Sequence, residues 1–265
     1  MDGARVAPGG SGIKPSRTCL AGATAVSLAA PKPPRRLHSA MEQTPFALQT
    51  NDFARRQMVE AQVRAWDVLD PRVLEVMEKL PREDFVPARY KSLAFSEANI
   101  PLDHGQMMMQ PKLEGRVLQA VNVQEGERVL EVGTGSGYLA ACLARLGGQV
   151  MSVDCFADFV DTAEKVWKSL DIKGVRGQVQ ESSTLDWTDE RFDVIVVTGS
   201  MPDLHPSFRD RLGVGGRLFV VTGRAPAMEA QLITRVSEDD WSCEYLFETN
   251  LPPLIDAWDE HTFDF

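Results

Sequence analysis

Three closely spaced glycines follow an apolar run and could place the protein backbone against a ligand. Residues 129–132 are Val-Leu-Glu-Val, and the five residues after them are Gly133, Thr134, Gly135, Ser136 and Gly137. Glycine has no side chain and adopts positive φ, so the chain can bend sharply and bring amide groups against a polar ligand. The segment predicts a strand, a turn shaped by Glu131, and a helix that together bind a nucleotide-like cofactor. A strand-to-helix turn without a ligand is the alternative.

The spacing of the glycines indicates which cofactor. The third glycine follows the second by two residues, and Tyr138 stands where the dinucleotide-binding fingerprint requires a small residue. This departure favours S-adenosylmethionine over NAD.

An acidic residue follows at the spacing that such a site needs. Residues 149–153 form the next apolar run, and Asp154 ends it, 21 positions after Gly133. A carboxylate at the end of the second strand of an α/β nucleotide-binding fold accepts hydrogen bonds from the ribose hydroxyls. We therefore expect Asp154 to bind the ribose, although a surface carboxylate at a strand end also occurs by chance.

The elements that must position these residues alternate between strand and helix from Arg128 onward. This order predicts an α/β fold with a doubly wound, mostly parallel, Rossmann-like sheet covered on both faces. The expected parallel strands are Arg128–Val132, Gln149–Val153, Val175–Val179, Phe192–Val197 and Arg217–Val221. Residues 230–236 and 242–249 are expected to form a final antiparallel pair. Ligands of such sheets bind beyond the carboxyl ends of the strands.

The residues before this region predict an N-terminal helical cap. A helix over 52–63 has Asn51 or Asp52 as a possible N-cap, and Asp70-Pro71 begins a second helix. We expect residues 41–122 to form the cap and a substrate-side loop. Residues 123–265 would form the cofactor-binding α/β domain, packed with the cap as one compact unit. Residues 1–40 are expected to be a disordered leader, or to lie upstream of the true start.

The charge and composition limit the possible partners. The chain has 265 residues and a net charge of −10, of which residues 1–40 carry six Lys or Arg against Asp2 alone. The remainder is strongly acidic, which disfavours a nucleic-acid partner. No apolar run is long enough to span a membrane, and the four cysteines and four histidines form no metal-site pattern. Unpaired cysteines favour a cytoplasmic location, and we expect a monomer.

The order of segments over residues 51–255 resembles the protein-L-isoaspartate O-methyltransferase family. The resemblance is carried by Pro81-Arg82 with residues 84–87, by Gly105-Gln106, by the run 129–138 and by residues 192–198 and 215–218. It implies a class I S-adenosylmethionine-dependent methyltransferase fold. It also implies a reaction that esterifies the free carboxylate of isoaspartyl residues in damaged proteins or peptides.

Two segments depart from the family pattern. The family carries T-I/V-S-x-P, whose hydroxyls lie beside the reacting carboxylate, where this chain has Met107, Met108, Met109, Gln110 and Pro111. A thioether cannot donate a hydrogen bond, so Met107 and Met109 occupy the catalytic positions without the expected groups. The family's G-D-G, whose aspartate binds the adenine amino group, is replaced by residues 181–183; Glu181 and Ser182 are the remaining candidates for that role.

These departures leave three hypotheses. The first is a carboxyl methyltransferase that acts on isoaspartyl residues. The second is a paralogue that methylates another carboxylate or a small molecule, through a pocket lined by residues 107–109. The third is a cofactor-binding protein without turnover. The methionines have a purely structural alternative as well, because flexible thioethers fill irregular gaps in a core.

Overall fold

A computed structural model describes residues 45–181 and 183–257. These residues fold around a central sheet. The expectations for residues 1–40 and for Ser182 lie outside these residues. In the described part the strands are β1 Ile100–Pro101, β2 Met107–Met108, β3 Arg128–Val132, β4 Gln149–Asp154, β5 Val175–Val179, β6 Phe192–Met201, β7 Leu212–Arg224, β8 Ala227–Arg235 and β9 Trp241–Thr249. The helices are α1 Pro45–Met58, α2 Pro71–Lys79, α3 Pro111–Val121, α4 Tyr138–Arg145, α5 Ala157–Ser169 and α6 Pro206–Asp210.

Within the described residues, seven strands form the central sheet, in the order β5-β4-β3-β6-β7-β8-β9. Strands β3 to β7 are parallel, whereas β8 and β9 are antiparallel to their neighbours. The chain winds outward from β3 to β5 and then returns to place β6 on the other side of β3. The switch point therefore lies between β3 and β6, where ligands of doubly wound sheets bind. The predicted mostly parallel sheet and its antiparallel end are confirmed.

Both faces of the sheet are buried, as a parallel sheet requires. Successive β3 residues point to opposite faces, so Val129 joins one apolar cluster while Leu130 and Val132 join the other. The first cluster also contains residues of α1 to α5, and the second contains Phe208 of α6. The bounds predicted for β3 and β5 are those observed. Strands β6 and β7 are longer than predicted. Strand β7 starts early because Leu212 pairs with Phe192, and β6 ends late because Ser200 and Met201 pair with β7 beyond a second register shift.

The N-terminal helices follow the prediction except at their start. Asp70 caps α2 by accepting a hydrogen bond from the Arg72 amide. The prediction that Asn51 or Asp52 caps the first helix was wrong, because α1 begins at Pro45 and both residues lie within it. Asp52 instead pairs with Arg55, one turn further on, at 3.1 Å. Apolar residues show regular helical spacing only after residue 52, so the helix predicted from the sequence began later than the observed helix α1.

Helix α1 continues into a π-helical turn, Val59–Val63, and a 3-10 turn, Arg64–Trp66. Between α2 and α3 the chain forms 3-10 turns at Arg82–Asp84 and Ala88–Leu93, and then the short antiparallel hairpin of β1 and β2. This stretch lies within the predicted cap and substrate-side loop. None of the described helices is long and apolar enough to cross a membrane.

Candidate cofactor and acceptor site

The glycine turn follows β3 at the switch point of the sheet. The amides of Gly133 and Thr134 both donate to the carbonyl of Val153, at 2.8 and 3.2 Å. All three glycines of the turn have positive φ, of 97°, 50° and 79° in chain order. A Cβ atom on Gly133 would lie 2.2 Å from Oγ1 of Thr198 on β6. Glycine is therefore required at this position by both backbone conformation and space.

Thr198 holds the turn from the neighbouring strand. Its Oγ1 lies 2.9 Å from the carbonyl of Val132 and 2.8 Å from that of Gly133, so the hydroxyl donates to this pair of acceptors. The two central strands are thus joined by a side chain at the point where the regular ladder ends.

Asp154 ends β4 beside the turn. Its Oδ2 accepts from the Gly135 amide at 2.9 Å and its Oδ1 from the Phe156 amide at 3.0 Å. Burial raises the pKa of this carboxyl, while the amide hydrogen bonds oppose the rise. Each carboxylate oxygen has more than one lone pair, so both oxygens can accept a further hydrogen bond from a ligand hydroxyl.

Glu131 lies beneath the turn. Its carboxyl accepts a hydrogen bond from Ser152, whose hydroxyl in turn lies 2.6 Å from that of Thr134. The side chain is fully buried, and burial raises its pKa to about 8. Burial thus favours the protonated form of this carboxyl, which supports the turn from below.

Two further contacts fix the start of α4. The indole Nε1 of Trp167 on α5 donates to the carbonyl of Gly137 at 2.8 Å. A Cβ on Gly137 would lie 2.6 Å from the Cβ of Ala163. The third glycine thus allows α5 to pack closely against the turn. The sequence contained no signal for this role of Trp167, because the contact joins residues 30 positions apart.

An open cleft lies over the carboxyl edge of the sheet. Gly133, Gly135 and Asp154 line one side, and Met107 and Met109 line the side formed by the cap. The structure thus brings together the glycine turn, the acid and two of the three methionines. Thr134, Ser136 and Gly137 belong to the turn but do not line this cleft. Glu131, which lies beneath the turn, does not line it either.

The three methionines differ in exposure. Met107 is 42% exposed, whereas Met108 and Met109 are 3% and 8% exposed and belong to the same core cluster. Met109 lines the cleft as well, together with Met107. Packing and a cleft-facing position, which the sequence left as alternatives, are therefore both present within three residues.

Arg82 anchors this segment through the backbone. The guanidinium is fully buried and donates from Nη2 to the carbonyl of Met109 at 2.7 Å and from Nε to that of Ala94 at 2.9 Å. It also forms an ion pair with the buried Glu114 of α3. Burial raises the pKa of Glu114 to about 7, against the lowering effect of Arg82. A buried arginine whose three guanidinium nitrogens all donate hydrogen bonds fixes the position of the segment relative to α3.

The tip of the β1–β2 hairpin packs on the beginning of α5. The His104 ring stacks on Phe156 with centroids 3.9 Å apart, and its Nε2 lies 2.9 Å from Asp158 Oδ2. Phe156 and Leu102 both line the cleft, so the hairpin forms its outer wall. These contacts were not expected from the sequence.

Residues 251–254 close the cleft on the remaining side. Ser200 of β6 donates from its amide to the Pro252 carbonyl at 2.8 Å and accepts from the Leu254 amide at 2.9 Å. Its hydroxyl donates to the Leu251 carbonyl at 2.9 Å. The segment thus pairs with the end of β6 like a short additional strand, although its sequence reads as a Pro-rich turn.

Glu181 lies at the same edge of the sheet but outside the lining of the cleft. It is exposed and follows Gln180, whose amide donates to the Asp154 carbonyl at 2.9 Å. A role in adenine binding stays a prediction for Glu181.

Comparison with known proteins gives one consistent result. The family model of protein-L-isoaspartate(D-aspartate) O-methyltransferase matches residues 54–258. Protein-L-isoaspartate O-methyltransferase 1 of Rhodopseudomonas palustris (strain HaA2) is 36% identical over 213 residues, which cover 80% of this chain and 85% of that protein. The protein-L-isoaspartate O-methyltransferase of Protochlamydia amoebophila is 35% identical over 202 residues, 75% of this chain and 95% of that protein.

Among solved structures, a similar fold is found in a protein from Plasmodium falciparum. It is described as a putative protein-L-isoaspartate O-methyltransferase in complex with S-adenosyl-L-homocysteine. The TM-score is 0.66 at 19% identity, and the match covers 76% of this chain and 97% of that one. At this identity the likeness concerns the fold.

Proposed function

Because this chain belongs to the protein-L-isoaspartate(D-aspartate) O-methyltransferase family, we propose that the cleft at the carboxyl edge of its sheet is where the family reaction takes place. The protein is an S-adenosylmethionine-dependent methyltransferase that esterifies isoaspartyl carboxylates in damaged proteins. The relatives are named for this reaction, which favours the isoaspartyl carboxylate over another carboxylate or a small molecule as the acceptor. Their names also favour an enzyme over a protein that only binds the cofactor. The observation that carries the location is a single cleft lined by Gly133, Gly135 and Asp154 opposite Met107 and Met109.

The residues on the sheet side fit S-adenosylmethionine. A Cβ on Gly135 would lie 3.4 Å from Leu102 and would narrow the space between turn and hairpin. Asp154 faces this space with lone pairs available for the two ribose hydroxyls. Gly133 and Gly135 leave the backbone open to the methionine part of the ligand, while Glu131, Thr134 and Ser152 hold the turn in shape. Glu181 is the candidate for contact with the adenine.

The reaction needs little acid–base chemistry from the protein. S-adenosylmethionine supplies a methyl group that its sulfonium already activates. An ionised carboxylate is a competent nucleophile, so the residues of this chain must mainly orient it and exclude water. Leu102, Met107 and residues 251–254 form apolar walls along the cleft. Arg82 holds the wall that carries Met107 and Met109 through the Met109 carbonyl.

The reaction itself is tested with purified protein, labelled S-adenosylmethionine and an isoaspartyl peptide. Incorporation of base-labile methyl ester, absent with the matching aspartyl peptide, is the expected result. Saturable cofactor binding without incorporation into any isoaspartyl peptide would refute the proposal.

The methionine wall allows a sharper test. One orienting hydrogen bond to a charged group contributes about 1.5 to 3 kcal/mol, or about 10- to 150-fold in rate if it acts wholly in the transition state. We expect Met107→Thr, which places a hydroxyl at the more exposed position, to raise kcat/KM for the isoaspartyl peptide. Met108→Leu, in the core, is the control. An unchanged rate for Met107→Thr would show that this side chain does not face the acceptor.

A further inference from the structure

A second groove adjoins the cleft and shares one of its walls. Asn99, Met107 and residues 251–253 line both. From Met107 the groove continues along Gln110 and Lys112 to Trp66, with Met228 on its other side. The acceptor is a residue within a peptide chain, so the residues that flank it must extend out of the cleft. This groove is continuous with the cleft and offers them a path.

Lys112 gives the groove its charge. It is the one charged side chain among the described residues that line the groove. Its Nζ lies 4.4 Å from the centroid of the Trp66 ring, and the nearest recorded carboxylate oxygen, on Glu97, is 3.7 Å away. The Lys112 side chain is 20% exposed and that of Glu97 is 57% exposed, and an ion pair that is long and open to solvent on the carboxylate side is weak. The ammonium group has three donors, so it can bind another carboxylate without leaving the ring.

Trp66 is itself held in place. Its carbonyl accepts from Nη1 of Arg116 at 3.3 Å, and its ring meets Phe247 edge-on with centroids 6.1 Å apart. The face of a fixed aromatic ring limits where the lysine ammonium can lie. The cation is thus positioned before any peptide binds.

We propose that this groove binds the residues that flank the isoaspartyl residue, and that Lys112 selects peptides with an acidic residue at one of those positions. This inference rests on the proposed function and adds the peptide class that the site prefers.

The position of Lys112 outside the cleft determines what it does. A cation beside the reacting carboxylate would stabilise the charged reactant more than the transition state, because that charge disappears as the ester forms. A cation that binds a flanking carboxylate interacts equally with both states. Such uniform binding lowers KM without raising kcat.

The overall charge makes this selection distinctive. Residues 41–265 carry a strongly negative net charge, which disfavours acidic peptides in general. A preference for acidic flanks would therefore have to come from a local cation at the groove.

The test compares Lys112→Gln and Lys112→Glu with the wild type on three sets of isoaspartyl peptides. The sets differ only in carrying Glu, Gln or Lys at one position within three residues of the isoaspartate. Lys173→Gln is the matched control, because Lys173 is exposed, pairs with Asp171 and precedes β5 at the opposite edge of the sheet. Melting temperatures of all variants check that they fold.

For at least one flanking position, we expect the wild type to have a KM about 2- to 5-fold lower for the Glu peptide than for the Gln peptide at low salt. Lys112→Gln should remove this difference through KM rather than kcat, and Lys112→Glu should transfer the preference to the Lys peptide. Lys173→Gln should behave as the wild type. Raised salt should reduce the wild-type preference.

Calorimetric titration of the same peptides, in the presence of S-adenosylhomocysteine, gives a readout that does not depend on turnover. A wild type that methylates all peptides with the same KM, or a preference that survives in Lys112→Glu, would overturn the role of Lys112 and leave the proposed function intact. If no isoaspartyl peptide were methylated, the proposed function would fail, and the titrations would still decide whether Lys112 selects acidic peptides.

Discussion

Replacing Gly133 by alanine, alone and together with Thr198→Ala, tests the geometry of the switch point. The new Cβ would lie 2.2 Å from Thr198 Oγ1, at a residue with φ of 97°. The strained backbone costs about 1 to 2 kcal/mol, and overpacking adds about 1 to 3 kcal/mol. We therefore expect Gly133→Ala to lower the free energy of unfolding by about 2 to 5 kcal/mol.

The second replacement removes the atom that the new Cβ meets. Thr198→Ala alone loses a hydroxyl that donates to the Val132 and Gly133 carbonyls, at a cost of about 0.5 to 1.5 kcal/mol. In the double variant the nearest remaining atom, the Cβ of residue 198, is 3.6 Å from the added Cβ, an ordinary contact. The overpacking term then disappears and the backbone strain remains. The double variant should be more stable than the sum of the single effects predicts, by about 1 to 3 kcal/mol.

The measurement is urea unfolding followed by tryptophan fluorescence, with the free energies extrapolated at a common slope. Calorimetric titration with S-adenosylhomocysteine reports on the turn itself, and Gly133→Ala should weaken binding more than the double variant does. Additive effects, within about 0.5 kcal/mol, would refute the close approach of Thr198 to the turn.

Three further predictions concern buried ionisable side chains. Asp154→Asn loses one acceptor oxygen and should weaken S-adenosylhomocysteine binding by about 10- to 150-fold in calorimetry; an unchanged Kd would exclude a ribose contact. Burial raises the pKa of Glu131 to about 8 from its ordinary value of 4.5, so between those two pH values the folded state holds this proton more tightly than the unfolded state. The free energy of unfolding should therefore fall as pH rises through this window. Urea unfolding at about pH 5 and about pH 8.5 measures the fall, which Glu131→Gln should remove. An equal change between the two pH values in the wild type and in Glu131→Gln would contradict the raised pKa. Arg82→Met leaves Glu114 buried without its partner and should lower the free energy of unfolding by about 3 to 5 kcal/mol in urea. Arg82→Met/Glu114→Met should recover only part of this loss, because the Met109 and Ala94 carbonyls still lack their donor; a double variant as unstable as the single one would argue against this pairing.

The parts of the site that the sequence predicted are those encoded over short distances. The apolar run of β3, its glycine turn and the acid that ends β4 are each recognisable from adjacent residues. The parallel arrangement then follows from the alternation of strands and helices, and it places Gly133 and Asp154 at one edge. Local patterns were sufficient here because each element has its own periodicity and its own end signal.

Contacts between distant segments were beyond the same reasoning. Arg82 reaches the Met109 carbonyl across 27 positions, and Thr198 reaches the Gly133 carbonyl across 65. The residue type predicts neither acceptor, since a buried arginine and a strand threonine each have many possible acceptors. The outer wall of the cleft was not predicted for a related reason: the contact between His104 and Phe156 joins the tip of the β1–β2 hairpin to the start of α5, which are 52 positions apart.

The methionine triplet required the structure because its meaning depends on strand geometry. The segment contains only two strand residues, too few for a recognisable alternation, yet pairing with β1 directs Met108 inward and leaves Met107 exposed. The acceptor side of the cleft is consequently apolar at the positions where the family has hydroxyls. An apolar wall can exclude water, but it cannot recognise a carboxylate by hydrogen bonding. Charge recognition of the peptide is left to groups beside the wall that meet its flanking residues, and Lys112 lies in the groove that begins at Met107.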